Sequence, residues 1–202
     1  MRRTKAEAEQ TRTALLTAGL ILFDEKGYRA TTISDIATAA NLTRGAFYWH
    51  FKDKTDLLSA IGEKYFDHLS QQIQSAADSA TPWTTLSDVY CQFFRTLLES
   101  KDHLHFHRLL NTQQSTPESP LATLLQRYKQ VWHQQLNNIL KQALETGILP
   151  PRTDLTLARN YLIVNISGIA CHYAVTPELQ TQAETIIKRT FSFIKQGGCI
   201  TV

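Results

Sequence analysis

The run Leu42-Thr43-Arg44-Gly45-Ala46-Phe47-Tyr48-Trp49-His50-Phe51-Lys52-Asp53-Lys54 is short, aromatic and basic, and it lies between two helical patterns. Its chemistry is that of a recognition helix followed by the start of a longer helix. Thr43 is a natural N-cap, because its hydroxyl can accept from a backbone N–H in the first turn. A helix beginning there turns free N–H groups and the positive end of its dipole towards any nearby phosphate. Arg44 and Tyr48 are four apart and share one face, while Phe47 and Phe51, also four apart, belong on the opposite, inward face.

Each residue on the outer face has a use against DNA. Arg44 can reach guanine O6 and N7 with both nitrogens of its fork. Gly45 and Ala46 add almost no bulk, so the backbone can approach base edges or a thymine methyl. Tyr48, Trp49, His50 and Lys54 carry N–H or O–H donors for phosphates, which position a reading helix while base contacts specify sequence. An ordinary amphipathic turn with aromatic packing would show much the same run, so the upstream context decides. Residues Ala8 to Lys26 repeat Leu15, Ala18, Leu22 and Phe23 at helical spacing, and Gly27 ends the pattern. A second short helix is expected from Ile33 to Ala40, capped by Thr32 with Asp35 three residues on, and burying Ile36 and Ala37. Thr32 is also expected at the DNA. A three-residue turn, Asn41 to Thr43, then leads into the reading helix, which is helix-turn-helix spacing.

Taken together, Gly27-Tyr28-Arg29-Ala30-Thr31-Thr32-Ile33, then Ile36-Ala37, then Thr43 to Lys54, resemble the N-terminal domain of TetR-family transcriptional regulators. Within that family the wording Thr-Arg-Gly-Ala-Phe-Tyr-Trp-His-Phe-Lys-Asp-Lys looks most like the AcrR-type repressors of multidrug efflux pumps. The resemblance implies a two-fold dimer on a palindromic operator. It also implies a roomy pocket for lipophilic, often cationic, compounds that release the DNA. A regulator answering to a protein partner, or acting as an activator without a small-molecule inducer, is the alternative.

The 202 residues are enough for one or two domains, with 43% hydrophobic content and a formal net charge of only +3. Residues 1–60 hold 9 Lys and Arg against 7 Asp and Glu. The case for DNA therefore rests on where charges sit rather than on their sum. Cys91, Cys171 and Cys199 are scattered, which reads as a reducing compartment, and the apolar context of Cys91 and Cys171 favours buried, inert thiols. Arg2, Arg3 and Lys5 are followed by no apolar stretch, so no signal peptide is expected, and Met1 to about Ala6 reads either as a frayed terminus or as a basic arm. The most apolar segment, Tyr161 to Val175, is broken by Asn165, Ser167 and His172 and is too short to span a bilayer. A cytoplasmic protein with no membrane contact is expected.

An all-α fold follows: a three-helix DNA-binding domain over residues 1–53 and a helical ligand-binding and dimerisation domain over residues 54–202. Helices are expected near Lys54–Ala77, Thr85–Lys101 with Asp88 completing a capping box, His103–Gln114, Pro120–Glu145 with Ser119 as cap, Asp154–Val175, and Thr176 to Gly197. The eighth helix is apolar nearly all round, with Leu155, Leu157, Ala158, Tyr161, Leu162, Val164, Ile166 and Ile169, so both its sides need cover. The eighth and ninth helices are expected to pair with their copies in a homodimer.

Aromatics are dense in the second domain, and periodicity alone does not separate core from pocket wall. The expected wall is Phe66, Phe93, Phe106, Tyr128 and Trp132, with His107, Gln113 and Asn165 as polar members. His103 and His107 lie one helical turn apart, with Glu99 on that face, which is spacing for a shared divalent ion. No cysteine or acidic cluster adjoins them, so neither metal nor cofactor is expected. No nucleophile–base pair or glycine-rich phosphate loop occurs, and no enzymatic activity is expected.

Overall fold

The computed structural model describes residues 4–113, 118–173 and 176–200. Arg2 and Arg3 of the expected basic arm lie outside the described residues, as do Ser115 to Pro117 of the expected loop. Helices occupy Lys5–Glu25 (α1), Ile33–Ala39 (α2), Arg44–His50 (α3), Lys54–Ala77 (α4), Pro82–Glu99 (α5), Lys101–Gln113 (α6), Pro120–Glu145 (α7), Leu155–Tyr173 (α8) and Pro177–Lys195 (α9). Among the described residues the only extended pairing is a single antiparallel bridge between Thr153 and Ile200.

Local chemistry explains most of the helix ends. The Thr32 hydroxyl accepts from the Asp35 N–H, and the Asp35 carboxylate accepts from the Thr32 backbone at 2.9 Å. Those bonds hold the Asp35 carboxyl below its ordinary value. The cap thus stabilises α2 above the ordinary carboxylate range, and the contribution is lost as pH falls through the lowered value. Thr43 accepts from the Ala46 N–H at the head of α3. Asn41, at φ 56°, takes the left-handed turn between α2 and α3, a conformation that asparagine tolerates better than most residues.

Two helices start three residues ahead of expectation. The first helix begins at Lys5 rather than Ala8, because Thr4 and Glu7 form a complete capping box inside the supposed arm. The fifth begins at Pro82, not Thr85. Proline suits the first helical turn, where no N–H is needed, so Pro82 starts the helix instead of sitting in a loop. The Thr85 hydroxyl, freed from capping, donates to the Thr81 carbonyl.

The chain packs as two compact units, residues 1–66 with 101–126, and residues 67–100 with 127–202. These do not coincide with the expected domains 1–53 and 54–202, because α4 and α7 each give their first part to one unit and their last part to the other. In the first unit Leu15, Leu20, Phe23, Ile36, Phe47, Phe51, Leu57, Leu58 and Ile61 form the buried interior. Gly62 lets α4 approach α7 closely, since a Cβ there would stand 2.7 Å from both Leu121 Cδ1 and Leu124 Cδ2. An ion-paired cluster ties α6 to α1. The Asp24 carboxylate accepts from His105 Nδ1 at 2.7 Å and from Arg108 Nη2 at 2.8 Å.

In the second unit Ile73, Trp83, Leu86, Phe94, Leu136, Ile139, Leu162, Tyr173, Ile187 and Phe191 belong to one core. The Tyr173 hydroxyl, fully inside, donates to the Phe94 carbonyl at 2.8 Å. One side of α8 is covered and the other is open: Ala158, Leu162 and Ile169 are buried, while Leu157 and Val164 are exposed. Cys171 lies on the open side and is exposed, contrary to the expectation of a buried thiol; Cys91 is buried.

Replacing Gly62 by Val overfills its contact with α7. The expected loss is about 1–3 kcal/mol, read as a lower urea midpoint at unchanged m-value.

Candidate nucleic-acid interface

Helix α3 is only seven residues long, and its two faces have opposite characters. Phe47 is wholly buried and Phe51 nearly so, with ring centroids 5.8 Å apart. Outward, Thr43, Arg44 and Gly45 are exposed, Tyr48 is 51% exposed and Trp49 67% exposed. Ala46 and His50 are half-buried at the edge. Two large aromatics left in water beside an arginine make a surface of stacking planes and N–H and O–H donors. Such a surface matches the grooves and backbone of a nucleic acid. The Thr32 hydroxyl is engaged in the α2 cap, donating to Asp35 at 2.8 Å.

Lys54 departs from the expected free phosphate donor. Its ammonium is turned inward and donates to the carbonyls of Tyr28 at 2.6 Å, Thr31 at 2.7 Å and Arg29 at 3.3 Å. It also stands 4.7 Å from the Tyr28 ring centroid. Burial holds this amine below its ordinary value. The carbonyls belong to the turn joining α1 to α2, which is itself closely tied. Gly27 takes φ 84°, and the buried Thr31 hydroxyl bonds the Gly27 and Leu22 carbonyls. The Tyr28 hydroxyl lies 3.1 Å from that of Thr55. Thr31, Tyr28 and the Asp24 cluster escaped the sequence reading. Apart from the Thr31 bond to Gly27, four residues back, their partners lie 9 to 84 residues away, beyond any local pattern.

The expected ligand residues divide between the two units. In the first, Phe106 stacks on Tyr65 at 4.3 Å and meets Phe66 edge-on at 5.4 Å. His107 is buried, and Gln113 accepts from the Ser119 hydroxyl at 3.0 Å. In the second, Phe93 packs edge-on to Phe94. The Tyr128 hydroxyl donates to the Asp67 carboxylate, and Trp132 Nε1 donates to Ser70 at 2.7 Å. Burial first, then that carboxylate, pushes the Tyr128 phenol up. The Asn165 amide donates to the Tyr161 carbonyl one turn back. His103 meets the Tyr65 ring edge-on, and His105 belongs to the Asp24 cluster. Among the described residues no three His, Cys, Asp or Glu side chains converge as metal ligands do, and no helix is long and apolar enough to cross a membrane.

The chain is similar to known regulatory proteins. Residues 15–61 match the model of the bacterial regulatory proteins of the tetR family. The HTH-type transcriptional regulator AcrR of Shigella flexneri is 31% identical over 184 residues, covering 88% of this chain and 84% of its own. Among solved structures, the complex of SmeT with triclosan superposes with a TM-score of 0.84 at 26% identity, over 93% of both chains. SmeT represses the multidrug efflux pump SmeDEF of Stenotrophomonas maltophilia. NalD of Pseudomonas aeruginosa, the secondary repressor of the efflux pump MexAB-OprM, has a TM-score of 0.69 at 27% identity, over 92% of this chain and 96% of its own.

The two faces of α3 differ in burial, and substitutions on them are expected to differ in effect. Phe47→Ala is expected to cost about 3–5 kcal/mol in chemical denaturation. Trp49→Ala is expected to change stability by no more than about 0.5 kcal/mol while weakening binding to DNA.

Proposed function

The chain belongs to the tetR family of bacterial regulatory proteins, and from that premise we propose that it is a ligand-released repressor of a multidrug efflux system. Its relatives are transcriptional regulators rather than enzymes. The observation that carries the proposal is the outer face of α3. Arg44, Tyr48 and Trp49 stand in water on a helix whose other side is locked by Phe47. Arg44 reads a base edge, and Thr43, Gly45, Tyr48, Trp49 and His50 set the helix against the backbone.

Reading a palindrome takes two such helices, roughly 34–36 Å apart in successive major grooves. A second copy of the chain supplies the other. The open side of α8, the end of α9 and the segment after it support this pairing: Leu157, Val164, Phe193 and Ile200 are all at least 40% exposed. Ser167 and Gly168 are exposed among them, and a Cβ at Gly168 would meet nothing within 4 Å, which leaves room for a close helix. An open groove of about 420 Å³ runs beside them, lined by Gly168, Ile169, His172 and Leu179 among others. A face so apolar on a protein of this size is normally covered.

The inducer is a lipophilic compound bound by the helical domain; SmeT is known in complex with a small molecule, triclosan. Since α4 is one continuous helix from Lys54 to Ala77, it is the element proposed to carry the signal. A linkage of about 1–3 kcal/mol is ordinary for such coupling. A regulator of chromosomal DNA of this kind works in the cytoplasm.

Fluorescence anisotropy on the DNA upstream of the chain's own gene, with and without lipophilic cations and phenols, tests the whole proposal. Salt-dependent binding that one class releases supports it. Binding that no compound releases favours control by a protein partner. In the same assay Arg44→Ala is expected to lose about 1–3 kcal/mol of operator affinity and to relax one base position; unchanged affinity removes Arg44 from base reading. Val164→Asp is expected to shift the chain from dimer to monomer in light scattering, and operator binding should fall with it.

A further inference from the structure

Lysine at the head of α4 has a geometry that its phosphate-binding chemistry does not explain. An ammonium carries three hydrogens. Here its nitrogen lies within hydrogen-bond distance of three carbonyl oxygens of one turn, those of Tyr28 and Thr31 at 2.6 and 2.7 Å and of Arg29 at 3.3 Å. The charge is half-buried and faces the Tyr28 ring, whereas the neighbouring Lys52 is exposed. Those carbonyls lie between the end of α1 and Thr32, the cap of α2. The Tyr28 hydroxyl, beside Thr55 on α4, closes the arrangement from the other side.

We propose that Lys54 is a positioning residue, a strut that seats the α1–α2 turn on the head of α4 and so fixes the angle at which α3 meets DNA, and that it does not itself neutralise a phosphate. The inference rests on the DNA-binding reading above and assigns Lys54 a different part in it. Charge-assisted bonds to three converging carbonyls are strong and directional. A single flexible amine can satisfy all three, whereas a planar guanidinium cannot, because its donors diverge in a fixed fork. The strut therefore needs lysine itself. Because Lys54 is the first residue of α4, a displacement of that helix is passed to the turn through the same three bonds.

Phosphate contact and strut make opposite predictions for the full-length chain. Each phosphate contact adds about 0.9 to the slope of log affinity against log salt. With a duplex of arbitrary sequence, Lys54→Met is expected to leave that slope unchanged. With the chain's own upstream DNA it is expected to lose roughly tenfold in affinity, the scale of one lost charged hydrogen bond or more. Lys54→Arg, which keeps the charge, is expected to lose as much. Hydrogen exchange in the absence of DNA should quicken over residues 27–33 in both variants, with residues 127–173 unaffected.

A slope that falls by about 0.9 per subunit in Lys54→Met, or wild-type affinity in Lys54→Arg, overturns the strut. So does unchanged exchange over residues 27–33. If Lys54→Met does not fold, Lys54→Arg decides alone by the same two readouts. Should the wild-type chain not prefer its upstream DNA to the arbitrary duplex, the proposed target is wrong. The salt slope and the exchange data still decide the role of Lys54.

Discussion

Burial of the Phe47 ring is the constraint on which the DNA-facing part of the molecule depends. Helix α3 is too short to persist alone, since isolated helices of its length are unstable in water. It exists because Phe47 and Phe51 are driven into the interior formed by Ile36, Phe23, Leu15 and Leu57. With that side fixed, the hundred-degree step between residues dictates that Arg44 and Tyr48 emerge together on the other. The proposed recognition face is thus a by-product of core packing. Trp49, two-thirds exposed, adds little to the fold that holds it out, while the Tyr48 ring still leans edge-on against Phe47.

The same logic recurs on a larger scale in α8. Its sequence is apolar nearly all round, but the second unit covers only one of its sides, around Ala158, Leu162 and Ile169. What remains uncovered is a run of side chains that is interior in composition and surface in position, with small residues at Ser167 and Gly168. Surface of that kind is costly to hydrate, and association removes it from water. The proposed dimer face and the proposed reading face thus have a common origin in helices carrying more apolar surface than one subunit hides.

What was legible in the chain was what is local. Thr32 with Asp35, Thr43 ahead of Arg44, and Pro120 as a first helical residue announce their helices through contacts three or four residues long, and each was found where it was read. Phe47 and Phe51 were legible by their spacing. Pro82 misled because proline opens helices as readily as it sits in loops. Cys171 misled because apolar neighbours in sequence do not say which side of a helix is covered. The inward turn of Lys54 and the meeting of Asp24 with His105 and Arg108 were not legible at all. They join residues 23 to 84 positions apart, and only the tertiary fold brings these together.

The Asp24 cluster has a bearing on how such a chain can be cut and rejoined. Its carboxylate is only 10% exposed and takes its partners from α6, far along the sequence from the helices it serves. A fragment ending at residue 53 keeps Asp24 but loses His105 and Arg108, leaving a shielded carboxylate bare and the α6-covered side of α1 wetted. Modular exchange of reading heads between related regulators, in the laboratory or in evolution, thus has a hidden seam. A donor head brings its own residue to the place of Asp24, and the recipient's α6 must suit it.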